Sequence, residues 1–160
     1  MCSSDLVMSA NGKIQCATTS SDGLFISYNY GVYWVKLDGS ENIDFEGIAI
    51  SADGQYQTTV INGGNIFLSS DYGVDWTNVS QPNTIDLSFV DVAMSSNGQY
   101  QTAIANPSLI FVSNDYGSTW RETPLEGVSD LVYWSKIAMS STGKYQTIVT
   151  EGSKIFYSSN

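Results

Sequence analysis

The chain has 160 residues, 42% of them hydrophobic and 12% aromatic but only 14% charged, and carries a net charge of −10. Sixteen acidic residues face six basic ones, and Arg121 is the only arginine. That balance argues against nucleic acid and anionic membrane as partners, because both need clustered Lys and Arg to neutralise phosphate. A complete lack of His removes Ser-His-Asp triads and histidine metal sites.

At this length roughly 70% of the unfolded chain's surface can be buried, so a sizeable core is available. No apolar run approaches the roughly 18 residues of a membrane span. The opening segment MCSSDLVMSANGK has neither a basic nor an apolar leader region, and nothing in it names a compartment. Cys2 and Cys16 make neither a disulfide framework nor a metal-ligand spacing. Cys16 occupies the place taken elsewhere by Thr58, Thr102 and Thr147 and reads as a small side chain filling a strand. A Cys2 to Cys16 bridge stays open as the alternative in a secreted protein.

Taken in chain order, four segments align without gaps: MSANGKIQCATT, ISADGQYQTTVI, MSSNGQYQTAIA and MSSTGKYQTIVT. Their glycines, Gly12, Gly54, Gly98 and Gly143, recur at spacings of 42, 44 and 45 residues. Each copy continues with an apolar run ending in Ser: GLFIS, NIFLS, LIFVS and KIFYS. After these come YNYGVYW, SDYGVDW and NDYGSTW in the first three copies, while the fourth reaches Asn160. Every complete copy reads as four short strands, the fourth beginning at the Trp, with turns at ADG, SNG, NGG and DYG where Gly supplies positive φ. No helical period is sustained, so little or no helix is expected.

A four-stranded unit of this length in tandem predicts an all-β fold of β-propeller-type blades, each of four antiparallel strands, with a linear β-solenoid as the runner-up. The blades are expected at approximately 5–38, 45–81, 88–123 and 132–160 of a single repeat domain. The fourth lacks its outer strand.

SSDYGVDW (Ser69 to Trp76) and SNDYGSTW (Ser113 to Trp120) resemble the Asp-box, or bacterial neuraminidase repeat, Ser-x-Asp-x-Gly-x-Thr-Trp. SNDYGSTW matches at every defined position, whereas SSDYGVDW has Asp75 in place of Thr. SYNYGVYW (Ser27 to Trp34) departs further, with Asn29 for Asp and Tyr33 for Thr, and predicts a more weakly held turn. The resemblance implies a propeller of sialidase- or sortilin-like repeats in which Ser27, Asn29, Gly31, Trp34, Ser69, Asp71, Gly73, Trp76, Ser113, Asp115, Gly117 and Trp120 are structural. Many proteins of this type are secreted or virus-borne. The physical account is the same: the Asp accepts backbone N–H bonds across a hairpin tip, the Gly takes positive φ, and the Trp buries a large ring between sheets.

The same resemblance raises sialidase chemistry, but sialidases hold their substrate's carboxylate with three arginines, and one is present. Other glycosidases need two carboxylates about 5 to 10 Å apart. Glu41, Asp44 and Glu46, and Glu122 with Glu126, fall in inter-blade connections where solvated charges are expected. Asp53, Asp71 and Asp75 lie near glycines, yet no D-x-D-x-D-G run marks a calcium loop. Asn78-Val79-Ser80 matches a glycosylation acceptor. The expectation is a non-enzymatic binding or interaction module with no cofactor and no metal. A glycosidase-related domain whose active site is completed by another chain or by missing sequence is the alternative.

Tyr30, Tyr72 and Tyr116 recur at the hairpin tips and are the candidate binding surface for a glycan or a protein loop. Tyr56, Tyr100 and Tyr145, beside Gln57, Gln101 and Gln146, are expected to pack between blades. Propellers close with about four to eight blades and strand edges need covering. Self-association into a homodimer or larger closed assembly is therefore expected, with a longer repeat protein or a lone four-bladed ring as alternatives.

Overall fold

The structure, a computed structural model, describes residues 5–19, 22–81, 86–124, 131–152 and 154–159. Cys2 and Glu126 lie outside the described residues, and so do the questions of the Cys2 to Cys16 bridge and the Glu122 and Glu126 pair.

Fifteen strands and no helix occur among the described residues, in four antiparallel sheets that each follow chain order. The first sheet is β1 (Asp5–Met8), β2 (Gln15–Thr19), β3 (Gly23–Ser27) and β4 (Val35–Lys36). The second is β5 (Phe45–Ile50), β6 (Gln57–Ile61), β7 (Ile66–Ser69) and β8 (Thr77–Asn78). The third is β9 (Ser88–Met94), β10 (Gln101–Asn106), β11 (Leu109–Ser113) and β12 (Arg121–Glu122). The fourth has three described strands, β13 (Trp134–Met139), β14 (Gln146–Thr150) and β15 (Ile155–Ser158).

One turn chemistry joins the first two strands of every sheet. Gly12, Gly54, Gly98 and Gly143 donate to the carbonyls of Ser9, Ser51, Ser95 and Ser140 at 2.8–2.9 Å. The same serine hydroxyls accept the N–H of Ile14, Tyr56, Tyr100 and Tyr145 at 2.9–3.0 Å. These glycines have φ between 73° and 87°, a conformation open to Gly at little cost. The outer strands correct the sequence expectation. Each starts one residue after its Trp and is two residues long, because the Trp ring is committed to packing and its indole N–H to the tip of the turn.

The core is three clusters, one at each junction between successive sheets. Ile14, Cys16, Leu24 and Ile26 meet Phe45, Ile48 and Ile61 at the first. Ala49, Val60 and Ile66 meet Phe89, Phe111 and Trp120 at the second. Ile104 meets Trp134, Ile137 and Ile148 at the third. The middle strands β6 and β10 are accordingly buried on both faces, whereas β2 and β14 alternate.

Two hydrogen-bond ladders cross these junctions in register. Along the turns, Ala10 N donates to Ala52 O (2.8 Å), Ala52 N to Ser96 O (2.7 Å) and Ser96 N to Ser141 O (2.8 Å). Between the second strands, Cys16 Sγ donates to Gln57 Oε1 (3.0 Å), Thr58 Oγ1 to Gln101 Oε1 (2.7 Å) and Thr102 Oγ1 to Gln146 Oε1 (2.7 Å). In both ladders the donor lies on the earlier sheet and the acceptor on the later one.

Candidate functional site: a cleft at the turn end of the first two sheets

The third and fourth strands of the first three sheets meet at tips built on one plan. In the tip of the third sheet, Asp115 Oδ1 accepts the Ser113 hydroxyl (2.8 Å) and Thr119 N (3.0 Å), and Oδ2 accepts the Thr119 hydroxyl (2.6 Å). Gly117 N donates to Ser113 Oγ (3.0 Å) and Trp120 Nε1 to Gly117 O (2.9 Å). In the second sheet Asp71 accepts the Ser69 hydroxyl, Val74 N and Asp75 N at 2.8–3.2 Å, while Gly73 N bonds Ser69 Oγ (2.9 Å) and Trp76 Nε1 bonds Gly73 O (3.1 Å). In the first, Asn29 accepts only the Ser27 hydroxyl (3.0 Å) and Tyr33 N (2.9 Å), with Gly31 and Trp34 bonded as in the other two. The neutral amide oxygen thus holds fewer bonds than either carboxylate.

Sequence reasoning placed positive φ at the glycines alone. Tyr30, Tyr72 and Tyr116 also have positive φ, 62°, 68° and 62°, so each tip contains two consecutive left-handed residues. Their N–H groups donate to the carbonyls of Lys13, Gln55 and Gln99 at 3.0–3.1 Å, tying both turns of a sheet together at one end.

The three tip tyrosines then differ in setting. Tyr116 stacks on Tyr56 of the preceding sheet, with ring centroids 4.7 Å apart. Tyr56 itself lies over Gly98, and Tyr100 over Gly143, where an added Cβ would come within 2.8 Å of the ring-bearing Cβ. Tyr72 faces Ile14, the one departure from Tyr at this repeat position. The smaller side chain leaves a cleft of about 520 Å³ between the first two sheets, lined by Asn11, Lys13, Ile14, Tyr28, Asp53 and Tyr72. Tyr30 has no preceding sheet among the described residues and is 64% exposed.

The cleft carries both charges. Asp53 accepts the Ser51 hydroxyl (2.6 Å) and Gln55 N (3.0 Å), and the Ser51 bond foremost holds its carboxyl below the ordinary carboxylate value. Tyr28 is pushed upward, mainly by burial and then by Cys16 and Asp71, so its phenol remains a hydrogen-bond donor. Aromatic walls with a fixed anion and a lysine suit ring stacking plus directed hydrogen bonds.

In the connection after β4, Glu41 and Asp44 are exposed, as expected of solvated charges, whereas Glu46 stands on β5 and Glu122 on β12 rather than in connections. Glu41 pairs with Lys36 at 3.1 Å, Asp44 accepts from Asn62 Nδ2 at 3.3 Å, and burial raises the Glu46 carboxyl, with Asp44 adding to the effect. Among the described residues, no group of three or more His, Cys, Asp or Glu side chains is arranged to hold a metal ion.

A second feature escaped sequence reasoning. Asp5, Gly47, Asp91 and Lys136 all stand four residues before the turn serine, a register that aligning the copies one strand further upstream would have exposed. Asp5, Asp91 and Lys136 bring charge to an opening of about 470 Å³ between the inner strands, also lined by Met8, Ile50 and Met94. Lys136 Nζ lies 3.5 Å from Asp91 Oδ1 and 3.7 Å from Asp5 Oδ2. Both carboxylates are occupied structurally, Asp5 Oδ2 accepting Ile48 N (3.3 Å) and Asp91 Oδ2 accepting Ile137 N (3.0 Å) from the next sheet.

No family model matches the chain, and no curated protein matches it by sequence. Solved structures do. YCF48 from Cyanidioschyzon merolae has a TM-score of 0.74 at 16% identity, over 96% of this chain and 49% of that one. The GH74 xyloglucanase from Xanthomonas campestris has a TM-score of 0.71 at 16% identity, over 97% and 27% of the two chains. YCF48 bound to D1 peptide has a TM-score of 0.61 at 15% identity, over 96% and 57%. At such identities the likeness is one of fold, and with the four stacked sheets it makes this an all-β chain of propeller-type blades. The chain spans from 27% to 57% of the length of those three.

Proposed function

We propose that the chain is a non-enzymatic binding module of Asp-box repeats that takes a protein segment, or a glycan, in the cleft between its first two blades. The observation that carries this reading is the replacement of Tyr by Ile14, which opens space beneath Tyr72 where the next junction is filled by the Tyr56 and Tyr116 stack. A structural relative bound to a peptide supports a protein ligand. Self-association belongs to the same reading.

Filling the cleft tests it. Ile14→Tyr restores the repeat and is expected to abolish binding of the ligand recovered by glycan array or affinity capture, while Tyr72→Ala weakens it about tenfold, the scale of one lost aromatic contact. Unchanged affinity in Ile14→Tyr would sink the cleft as the site.

The GH74 relatives favour one other reading, a glycosidase-related domain whose active site is completed by another chain or by missing sequence. Asp5 and Asp91, facing each other across Lys136, are its candidate carboxylates. Their commitment to backbone N–H groups of the next blade counts for the binding module. Turnover of chromogenic glycosides that is lost in Asp91→Asn would overturn the non-enzymatic reading.

A further inference from the structure

We infer that the cleft between the first two sheets takes a tyrosine side chain presented by a partner protein, its ring stacked on Tyr72 as the Tyr56 ring is stacked on Tyr116 one junction later. This rests on the cleft being a binding site and adds which chemical group fills it.

The two junctions share one backbone. Ala10 N donates to Ala52 O across the first at 2.8 Å, and Ala52 N to Ser96 O across the second at 2.7 Å. Tyr72 N and Tyr116 N donate to the carbonyls of Gln55 and Gln99 at 3.0 and 3.1 Å, both from left-handed residues. The sheets are therefore held at one spacing at their turn ends, and the junctions differ in side chains. At the second, the Tyr56 ring covers Gly98 and stacks on Tyr116, with centroids 4.7 Å and planes 29° apart. At the first, Ile14 covers Gly54 but carries no ring, and no ring is stacked on Tyr72 among the described residues. A ring entering from solvent completes the pair that Tyr56 and Tyr116 make within the chain.

A second departure from the repeat falls at the same junction. Tyr28 stands where the next two copies have Ser70 and Asn114, and it lines the cleft with Tyr72. The first junction has thus lost a ring from its interior and gained one on its wall, which a smaller core residue does not by itself require. Polar groups on the cleft select among rings. Lys13 makes no ion pair among the described residues, and Asp53 accepts Ser51 Oγ and Gln55 N on Oδ1, leaving Oδ2 to a ligand. A phenol hydroxyl donates and accepts at once, so it can answer a carboxylate and an ammonium together, whereas a phenyl ring answers neither. The Tyr56 and Tyr116 pair shows that this spacing suits a flat ring; a pyranose chair is thicker and is the competing outcome of the test.

The test is ligand-observed NMR on the 160-residue chain with uncharged probes: N-acetyl-tyrosine amide, N-acetyl-phenylalanine amide and methyl β-glucoside. The tyrosine probe is expected to bind with a Kd on the order of 1 mM, its ring protons moving upfield as stacking requires. The phenylalanine probe is expected to bind about fivefold more weakly for want of the hydroxyl. Ile14→Tyr rebuilds the pair of the second junction and is expected to abolish binding. Tyr72→Asn removes the ring with a residue type that tolerates left-handed backbone and is expected to weaken binding about tenfold. Circular dichroism shows which variants are folded, and either one alone suffices. No binding of the tyrosine probe, equal binding of the phenylalanine probe, tighter binding of the glucoside, or binding unchanged in a folded variant overturns the inference. A captured ligand that is lost in Ile14→Tyr but not displaced by the tyrosine probe also overturns it while leaving the cleft a binding site. A captured ligand indifferent to Ile14→Tyr removes the cleft itself, so the two failures are distinguishable.

Discussion

Thr102 donates its hydroxyl to Gln146 Oε1 at 2.7 Å across the last junction, the same bond at the same length that Thr58 makes to Gln101 one junction earlier. Gln101 lies 1% exposed and Thr58 fully buried, so the earlier bond is sealed from water, whereas Gln146 is only half-buried. Thr58→Val keeps the shape and removes the donor, leaving Gln101 Oε1 without it in a dry junction. Chemical unfolding is expected to register a loss of about 1–3 kcal/mol, the cost of an unsatisfied buried acceptor, and a smaller loss for Thr102→Val. Equal effects would contradict the difference in burial.

Cys16 stands at the Thr position of that ladder, 3.0 Å from Gln57 Oε1. Burial pushes its thiol up to about 12, so at pH 8 it is protonated and enclosed. Peptide mapping after alkylation is expected to find Cys16 unmodified in the native chain and modified in denaturant. Cys16→Thr is expected to be neutral or stabilising, since a hydroxyl is the stronger donor.

The two turn glycines Gly12 and Gly98 separate backbone strain from packing. Both have positive φ, 73° and 77°, but Gly12 faces open space and Gly98 lies against Tyr56. Gly12→Ala is expected to cost about 1–2 kcal/mol from the left-handed conformation alone. Gly98→Ala must add displacement of the Tyr56 ring, and a larger fall in unfolding midpoint checks it.

The tip carboxylates predict an acid-side signature. Burial raises the Asp115 carboxyl, but hydrogen bonds from Thr119 and Ser113 outweigh it and hold the group below its ordinary value of 3.8; Asp71 behaves alike through Asp75, Ser69 and Val74. A carboxyl more acidic in the folded chain stabilises fully above its unfolded value, and that contribution is lost as pH falls through the folded one. Asp91 acts the other way. Burial raises its carboxyl against the Ile137 and Lys136 contacts, so its contribution is present at low pH and is lost as pH rises through the raised value. Asp115→Asn is expected to flatten the decline of stability below about pH 5, measured by denaturant titration at several pH values. A decline as steep as that of the wild-type chain would rule out this role for the carboxylate.

Much of the fold was legible because its turns are written in residue types with few conformational options. Ser with Gly three residues on marks each inner hairpin, and the spacing of Gly12, Gly54, Gly98 and Gly143 shows that one unit is reused. The outer strands were less legible, since a Trp is as much at home in a strand as at the edge of one, and only its indole bond to the tip carbonyl decides. The cleft was not legible at all. Ile14 differs from Tyr56 by a size that matters only once Tyr72 is brought opposite it from the next sheet.

The sequence by itself determined the unit: four short strands, two serine-based turns at one end, and the alternation of side chains along each strand, all set by contacts within about 40 residues. Tertiary structure alone decided which faces are covered. Thr58, Thr102 and Thr147 occupy one repeat position, yet the first two are buried beneath the next sheet and Thr147 is exposed. Burial on a face depends on what packs against it, and that is a property of the stack of blades rather than of any one copy.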